Sequence, residues 1–472
     1  MISCLFIMSE ILSALEKFIS NYPNKHLVIA YSGGVDSQVL LHSIATLKTQ
    51  QKISQTISAI HVNHGLSSCA KQWQNFAQMQ CSALNVDLTL AKVDIENQAQ
   101  VSLEAQAREA RYQALERLSS NDALIITGHH QDDQVETFLL ALKRGSGLKG
   151  LSSMGECSNF GDKSQLLLRP LLSFSRDEIV QYAQLNNQKW IEDESNADIS
   201  FDRNFLRQNI VPLLKERWPK FSQTVVRSAS HCQYAQSIID EVAEQDLANS
   251  LASTDISKNI TKNSLNIPSL LGLSPARFNN AIRFFLAENR QLMPSQQQLV
   301  QLHNQLLNAS ADKVPEVKVG NVWLRRYQEQ LFLTPEFQPV SHWRYEFMLK
   351  VVNHTPLDIT LPDSLGKISF NITPDSSSTA GEISLSIPVD AQSVEIKFTH
   401  ENPKCLPSYR QKNRPLKKVL QELAIPPWQR KRLPLLYIDG ELAAVIGHFV
   451  CQPFLSDLQQ KKLNIYWLHQ SD

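Results

Sequence analysis

Ser32-Gly33-Gly34-Val35-Asp36-Ser37 gathers two glycines, two hydroxyls and one carboxylate into six residues. The set suits an oxyanion held by the main chain, because glycine lets the backbone come close to a ligand and Ser32 and Ser37 add donors. The lysine of a Gly-x-x-x-x-Gly-Lys-Ser/Thr phosphate loop is missing. Asp36 stands there instead and would repel a bare phosphate, so a magnesium ion between the two is expected. The plain alternative is an ordinary strand-to-helix turn. A second cluster is Gly128-His129-His130-Gln131-Asp132-Asp133-Gln134-Val135-Glu136-Thr137. On a helix Asp132 and Glu136 share a face and Asp133 lies close to Glu136. We read this as a site for magnesium and substrate, with Asp133 as a metal ligand beside Asp36. Acids that merely favour a helix start are the alternative. The spacing does not supply the ligand pairs of a closed zinc site.

Two arginine pairs complete the inventory. Arg108 and Arg111 lie three apart in Glu104-Ala105-Gln106-Ala107-Arg108-Glu109-Ala110-Arg111-Tyr112. Charge pattern alone favours a solvated face with a Glu104–Arg108 pair; either arginine could instead neutralise phosphates. Arg203 and Arg207 are one turn apart and can meet one partner, a phosphate or an acid such as Asp193.

These residues need a scaffold. Leu27 to Tyr31 is a short apolar run that reads as a buried strand, and helical spacing follows from Gln38. Ser32–Ser37 therefore opens a helix, whose first amides have no internal partner and carry the positive end of the dipole. Further strands are expected at 57–62, 86–93, 123–127 and 166–172, the last stopped by Pro170. Helices are expected at 10–20, 69–84 and 102–118, and after Ser175 as a cap. Alternation of this kind implies a doubly wound parallel sheet. Ligands then sit beyond the carboxyl ends of the strands, where Ser32–Ser37, His61–Gly65 and Gly128–Asp133 all fall.

The ordered set of motifs adds Trp190-Ile191-Glu192-Asp193-Glu194-Ser195-Asn196 and Arg203-Asn204-Phe205-Leu206-Arg207. It resembles the PP-loop (ATP pyrophosphatase) superfamily, and within it the bacterial tRNA(Ile)-lysidine synthases, over residues 27–213 and again over 410–447. The resemblance implies attachment of L-lysine to C2 of the wobble cytidine in the CAU anticodon of a minor tRNA(Ile), through an adenylated cytidine. The implied cofactors are ATP and Mg2+. Ser32, Gly33, Gly34, Val35, Asp36 and Ser37 would bind ATP. Asp36, Asp132, Asp133, Glu136 and Arg108 would be catalytic, with magnesium binding and proton removal undivided among the acids. The lysine amine must be neutral to attack, although its ordinary pKa is near 10.4. A PP-loop tRNA thiolase is the rival enzyme, an amidotransferase and a non-catalytic RNA-binding module the others.

Length and charge bound the rest. A chain of 472 residues suggests two or three domains, placed at 1–217 (catalytic), 218–335 (mostly helical) and 345–472 (small α+β). With 46 basic and 46 acidic residues the net charge is zero, so an RNA partner requires a local patch. One lies between Asn402 and Arg432, where nine basic residues accompany the single acid Glu422. The expected tRNA contacts are Arg203, Arg207, Arg410, Lys417, Lys418 and Arg430. Seven scattered cysteines without a Cys-x-x-Cys fit a reducing cytoplasm. No apolar run suggests a membrane span. Met8 is an alternative start to Met1, and a homodimer is one option for the assembly.

Overall fold

The computed structural model describes residues 2–63, 65, 69–93, 103–161, 165–250, 264–308, 315–352, 356–373, 382–388, 390–455 and 462–468. His64, the Glu104 side chain and the expected loop 374–379 lie outside the described set. The chain divides into two compact units, Met1–Glu241 and Val242–Asp472.

The first unit runs α1 (Ile2–Ser20), β1 (His26–Ala30), α2 (Val35–Thr49), β2 (Thr56–Asn63), α3 (Ala70–Ala83), β3 (Asp87–Lys92), α4 (Leu103–Leu118), β4 (Leu124–Ile126), α5 (Gln131–Lys143) and α6 (Leu148–Leu151). It continues through β5 (Cys157–Phe160), β6 (Gln165–Leu168), α7 (Arg176–Leu185), α8 (Asp202–Phe205), α9 (Val211–Arg217) and α10 (Phe221–Ser250), which carries the chain into the second unit. The strand order is β3-β2-β1-β4-β6-β5. All pairs are parallel except the antiparallel edge strand β5. The sequence reading lacks β5, since Cys-Ser-Asn-Phe has neither apolar run nor clear alternation; pairing with β6 makes it a strand.

Both faces of the sheet are covered, which explains why β1 is apolar without alternation. Leu27 and Ile29 pack with Ile11, Leu15, Val39 and Tyr182 on one side. Val28 packs with Ile60, Leu115, Ile125 and Phe160 on the other. The chain leaves β1 for β2 on one side and returns through β4 on the other, so the switch point lies between β1 and β4.

The second unit begins with β7 (Ser264–Asn266), α11 (Ile267–Leu271), α12 (Pro275–Glu288), α13 (Gln296–Asn308), β8 (Glu316–Val319), β9 (Val322–Tyr327) and β10 (Gln330–Pro335). These strands form an antiparallel sheet ordered β7-β10-β9-β8. Its inward residues Leu265, Val317, Leu324 and Leu331 share a core with Phe278, Ile282 and Leu302 of the helices. Ser274 caps α12 ahead of Pro275, as its sequence suggests.

Then come β11 (Arg344–Met348), β12 (Leu357–Thr360), β13 (Lys367–Thr373), β14 (Glu382–Ser386), β15 (Ser393–Lys397), β16 (Lys404–Cys405), β17 (Arg414–Pro415), α14 (Leu416–Glu422), α15 (Pro427–Arg430), β18 (Leu435–Ile438), β19 (Glu441–Val445), β20 (Phe449–Val450) and β21 (Lys462–Leu468). Two antiparallel sheets, β11-β15-β18-β19-β20 and β12-β13-β21-β14, share one core with α14. Asp439 and Gly440 have φ of 46° and 86°, the positive values a two-residue hairpin turn needs. No helix among the described residues is long and apolar enough to cross a membrane.

Candidate active site

Gly34 caps α2, so Val35, Asp36 and Ser37 form its first turn at the carboxyl end of β1. Gly33 takes a φ of 89°, a conformation that a side chain would strain. The Ser37 hydroxyl organises the loop. It accepts from the amides of Gly33 at 3.1 Å and Ser32 at 3.3 Å and donates to Gly34 O at 3.0 Å. Ser37 thus braces the loop from inside. Ile191 N donates to Gly33 O at 2.9 Å, tying Trp190–Asn196 to the loop.

Gly128 lies against the same turn. A Cβ at this position would stand 2.9 Å from the Asp36 carbonyl carbon and oxygen. The close approach of the β4 end to the loop therefore requires glycine. From here His129 turns its Nδ1 toward Thr127 Oγ1 at 2.8 Å. His130 precedes α5, and its amide donates to Asp133 Oδ2 at 3.0 Å. Its Nε2 stands 3.6 Å from Asp36 Oδ1 and 3.5 Å from Asp133 Oδ2.

The acids of α5 separate. Asp132 faces away from the cleft: Oδ2 accepts from Arg176 N at 2.9 Å, and Oδ1 pairs with Lys215. Asp133 and Glu136 instead share two guanidiniums. Arg203 Nε meets Glu136 Oε2 at 2.6 Å and its Nη2 meets Asp133 Oδ1 at 3.0 Å. Arg207 Nε meets Glu136 Oε1 at 2.6 Å and its Nη2 meets Asp133 Oδ1 at 3.2 Å. The arginines come from α8 and from the π turn Leu206–Ile210 behind it. Pro212 has no N–H to continue a regular helix there, which accounts for the wider turn. The Asp132–Glu136 face expected from helical spacing is thus replaced by Asp133–Glu136. The partner of Arg203 and Arg207 is an acid pair other than Asp193, and phosphate contact is not needed to explain either arginine.

The electrostatics differ between the two cleft aspartates. Burial, the largest influence, lifts the Asp36 carboxyl above its ordinary value; His130 opposes this and Asp133 adds to it. For Asp133 burial also works upward, but His130 and Arg203 overcome it and hold the group down at about 2. Burial pushes His129 down to about 3. Burial likewise lowers His61, whose Nδ1 lies 3.0 Å from Tyr31 O. A carbonyl only accepts, so Nδ1 bears the proton and Nε2 is left as an acceptor.

These groups border one cleft of 780 Å³ over the ends of β1, β2 and β4. Ser32, Asp36, Ser37, Arg108, Asp133, Arg203 and Arg207 line it, whereas Asp132 and Glu136 do not. Arg410, Lys417, Lys418 and Arg430 belong to the second unit. Asn63, within the expected His61–Gly65 stretch, lines the wall, as does Trp73, which sequence reading passed over. That reading also passed over Arg169, only 7% exposed, whose Nη1 donates to Gly155 O at 2.7 Å and Ser158 Oγ at 3.2 Å. The available signal was position, an arginine directly after an apolar strand.

Among the described residues, Asp36 is the one that fits a magnesium ion. No group of three or more His, Cys, Asp or Glu suited to a metal occurs among the described residues. Asp36 Oδ1, however, is buried and lacks a hydrogen-bond partner. Magnesium commonly takes one or two carboxylates and completes its shell with phosphate and water oxygens, and Asp36 fits that pattern. Asp133 does not, because His130, Arg203 and Arg207 already engage both its oxygens.

A parallel sheet with a Ser-Gly-Gly loop at its switch point defines the PP-loop class, and the family model described as PP-loop domain matches residues 8–214. The TilS substrate binding domain matches residues 265–332 and the TilS substrate C-terminal domain matches 394–467. The chain is 38% identical over 444 residues to the tRNA(Ile)-lysidine synthase of Serratia proteamaculans, covering 94% of this chain and 96% of that one. It is 33% identical over 459 residues to the tRNA(Ile)-lysidine synthase of Coxiella burnetii, covering 96% and 95%. The chain belongs to the tRNA(Ile)-lysidine synthase family. Among solved structures, a U34-tRNA thiolase from Methanococcus maripaludis aligns with 48% of this chain and 79% of its own, at 17% identity and a TM-score of 0.41.

Proposed function

We propose that this chain ligates L-lysine to C2 of the wobble cytidine in the CAU anticodon of tRNA(Ile), with ATP consumed and AMP and pyrophosphate released. The observation that carries the reading is identity to lysidine synthases along nearly the whole chain, 94% of it in the Serratia comparison. The cleft is chemically suited to the reaction. Cytidine O2 attacks the α-phosphorus, forming the O2–P bond as pyrophosphate leaves. The lysine ε-amine then attacks C2, the C2–O2 bond breaks, and AMP carries the oxygen away. The proton lost by the amine passes to a carboxylate.

Each residue has a role in this reading. The open amides at the start of α2 bind the phosphate chain. Asp36 would hold magnesium, which supplies charge neutralisation at the triphosphate. Arg108, from the α4 wall of the cleft, adds a second cation to the phosphates. Asp133 is a poor base, since an acid held near 2 accepts protons poorly at neutral pH. Asp133 and Glu136 serve to hold Arg203 and Arg207, forming a charge-balanced wall. Asp132 joins α5 to α7 and α9 and has no part in the chemistry. The segments 218–335 and 345–472 engage the tRNA, chiefly through exposed lysines.

The test is incubation with ATP, radiolabelled lysine and unmodified tRNA(Ile) bearing CAU. Label in the RNA with matching AMP release is expected. No label, or sulfur incorporation in its place, would overturn the reading. Asp36→Asn should lower turnover by at least about a hundredfold, within the range for a general base alone; full activity in that variant rejects the assignment.

A further inference from the structure

The outer face of the β7–β10 sheet has the wrong composition for water. In β9 the period of two sends Val322 and Leu324 inward and Trp323, Arg325 and Tyr327 outward. Phe332 of β10 lies directly opposite Arg325, on the same outer face. Helices α11–α13 pack on the inner face, so this aromatic and cationic row should be solvated. It is not. Trp428 of α15 packs edge-on against Phe332 and Tyr327, with ring centroids 5.5 and 6.2 Å apart. The Arg325 guanidinium stands 5.3 Å from Trp323, 5.3 Å from Phe337 and 5.7 Å from Trp428. It is held in an aromatic box and is only 9% exposed. Arg430 Nη2 donates to Tyr327 Oη at 3.0 Å, and its Nε donates to Ile425 O at 2.6 Å.

The basic patch is therefore two populations. Arg410 and Arg414 both pair with Glu422. Arg430 is spent on Tyr327, and Arg432 pairs with Asp363 and stacks on Phe337 at 4.4 Å. Lys404, Lys412, Lys417, Lys418 and Lys431 are exposed, with no carboxylate partner among the described residues. The arginines build the surface and the lysines remain for phosphates. This weighs against the expected tRNA contact by Arg430, since its Nε and Nη2 both donate within the protein.

We propose that Arg325, Tyr327, Trp428 and Arg430 form a fixed joint between the β7–β10 sheet and the lysine-rich C-terminal region, so that the two engage tRNA as one surface. Cation–aromatic and aromatic pairs of this kind are individually modest. The joint thus combines several modest contacts that only this arrangement satisfies together. Ordering it before the RNA arrives removes that cost from binding. The proposal rests on the reading that exposed lysines of the C-terminal region contact tRNA.

The test uses the full chain and a tRNA(Ile) transcript, with affinity measured across a salt series and chymotrypsin cleavage followed at Phe337. Trp428→Ala should weaken tRNA binding about tenfold, leave the salt slope and the KM for ATP unchanged, and speed cleavage at Phe337. Trp428→Phe should restore most of the affinity. Arg430→Met should behave like Trp428→Ala, again with an unchanged slope. Lys417→Gln/Lys418→Gln should flatten the slope by roughly 0.7 to 0.9 per lost contact; failure of that variant alone sinks the tRNA reading and leaves the proteolysis result to judge the joint. Native affinity and native protection in Trp428→Ala would overturn the joint. A flattened slope in Arg430→Met would return Arg430 to the phosphate contacts and overturn its place here.

Discussion

Asp133 shows how one side chain is fixed by its surroundings. It is 8% exposed, lies between an imidazole and two guanidiniums, and is held at about 2 against an ordinary 3.8. A depressed carboxylate stabilises the fold fully above its unfolded value and loses that contribution as pH falls through the folded one. Stability should therefore fall between about pH 4 and pH 2 in part through this group, an effect absent from Asp133→Asn when urea unfolding is compared across that range. Removing one arginine should do more than acidification at moderate pH. Arg207→Met leaves Glu136, 1% exposed, with a single cation, and is expected to cost about 3 kcal/mol or more in urea unfolding at neutral pH. A loss below about 1 kcal/mol would mean that the network is solvated and weak.

At the scale of elements, the cleft depends on how closely two crossovers meet. The α2 start and the β4–α5 turn touch through backbone alone at Gly128. Gly128→Ala puts a methyl group into the Asp36 carbonyl, and the loop must shift to relieve it. We expect a stability loss of roughly 1 to 3 kcal/mol and a KM for ATP raised at least about tenfold, measured by thermal unfolding and by ATP titration. Wild-type kinetics in this variant would show that the loop has slack. The contrast with Gly65, whose added Cβ would meet nothing within 4 Å, makes Gly65→Ala a control for space, though its φ of 68° adds strain of its own.

At the scale of the whole chain, a formal net charge of zero hides a local excess. In the proposed reading, exposed lysines of the C-terminal region would supply the long-range attraction, while Arg410, Arg414, Arg430 and Arg432 are engaged within the protein. Lys417→Gln/Lys418→Gln is accordingly expected to weaken tRNA binding most at low salt, where unscreened charge counts most. Equal weakening at all salt concentrations would argue for a structural cause. The neutral total also means that affinity for arbitrary polyanions should be modest beside affinity for the proper tRNA, which competition with unrelated RNA will measure.

The sequence by itself determined the parallel sheet, the loop at its switch point, the capped helices and the position of the basic patch. Each follows from local pattern: apolar runs, glycine at a forced turn, Ser or Asp at helix starts, like charges close together. The tertiary structure alone decided pairing. Asp132 and Asp133 are neighbours of one residue type, yet one meets Lys215 and the other Arg203 and Arg207. Arg430 looks like its lysine neighbours until Tyr327, 103 positions away, is brought to it. Strand β5 exists because β6 offers it an edge. Charge and propensity are properties of a residue, whereas a partner is a property of the fold that brings distant chain together.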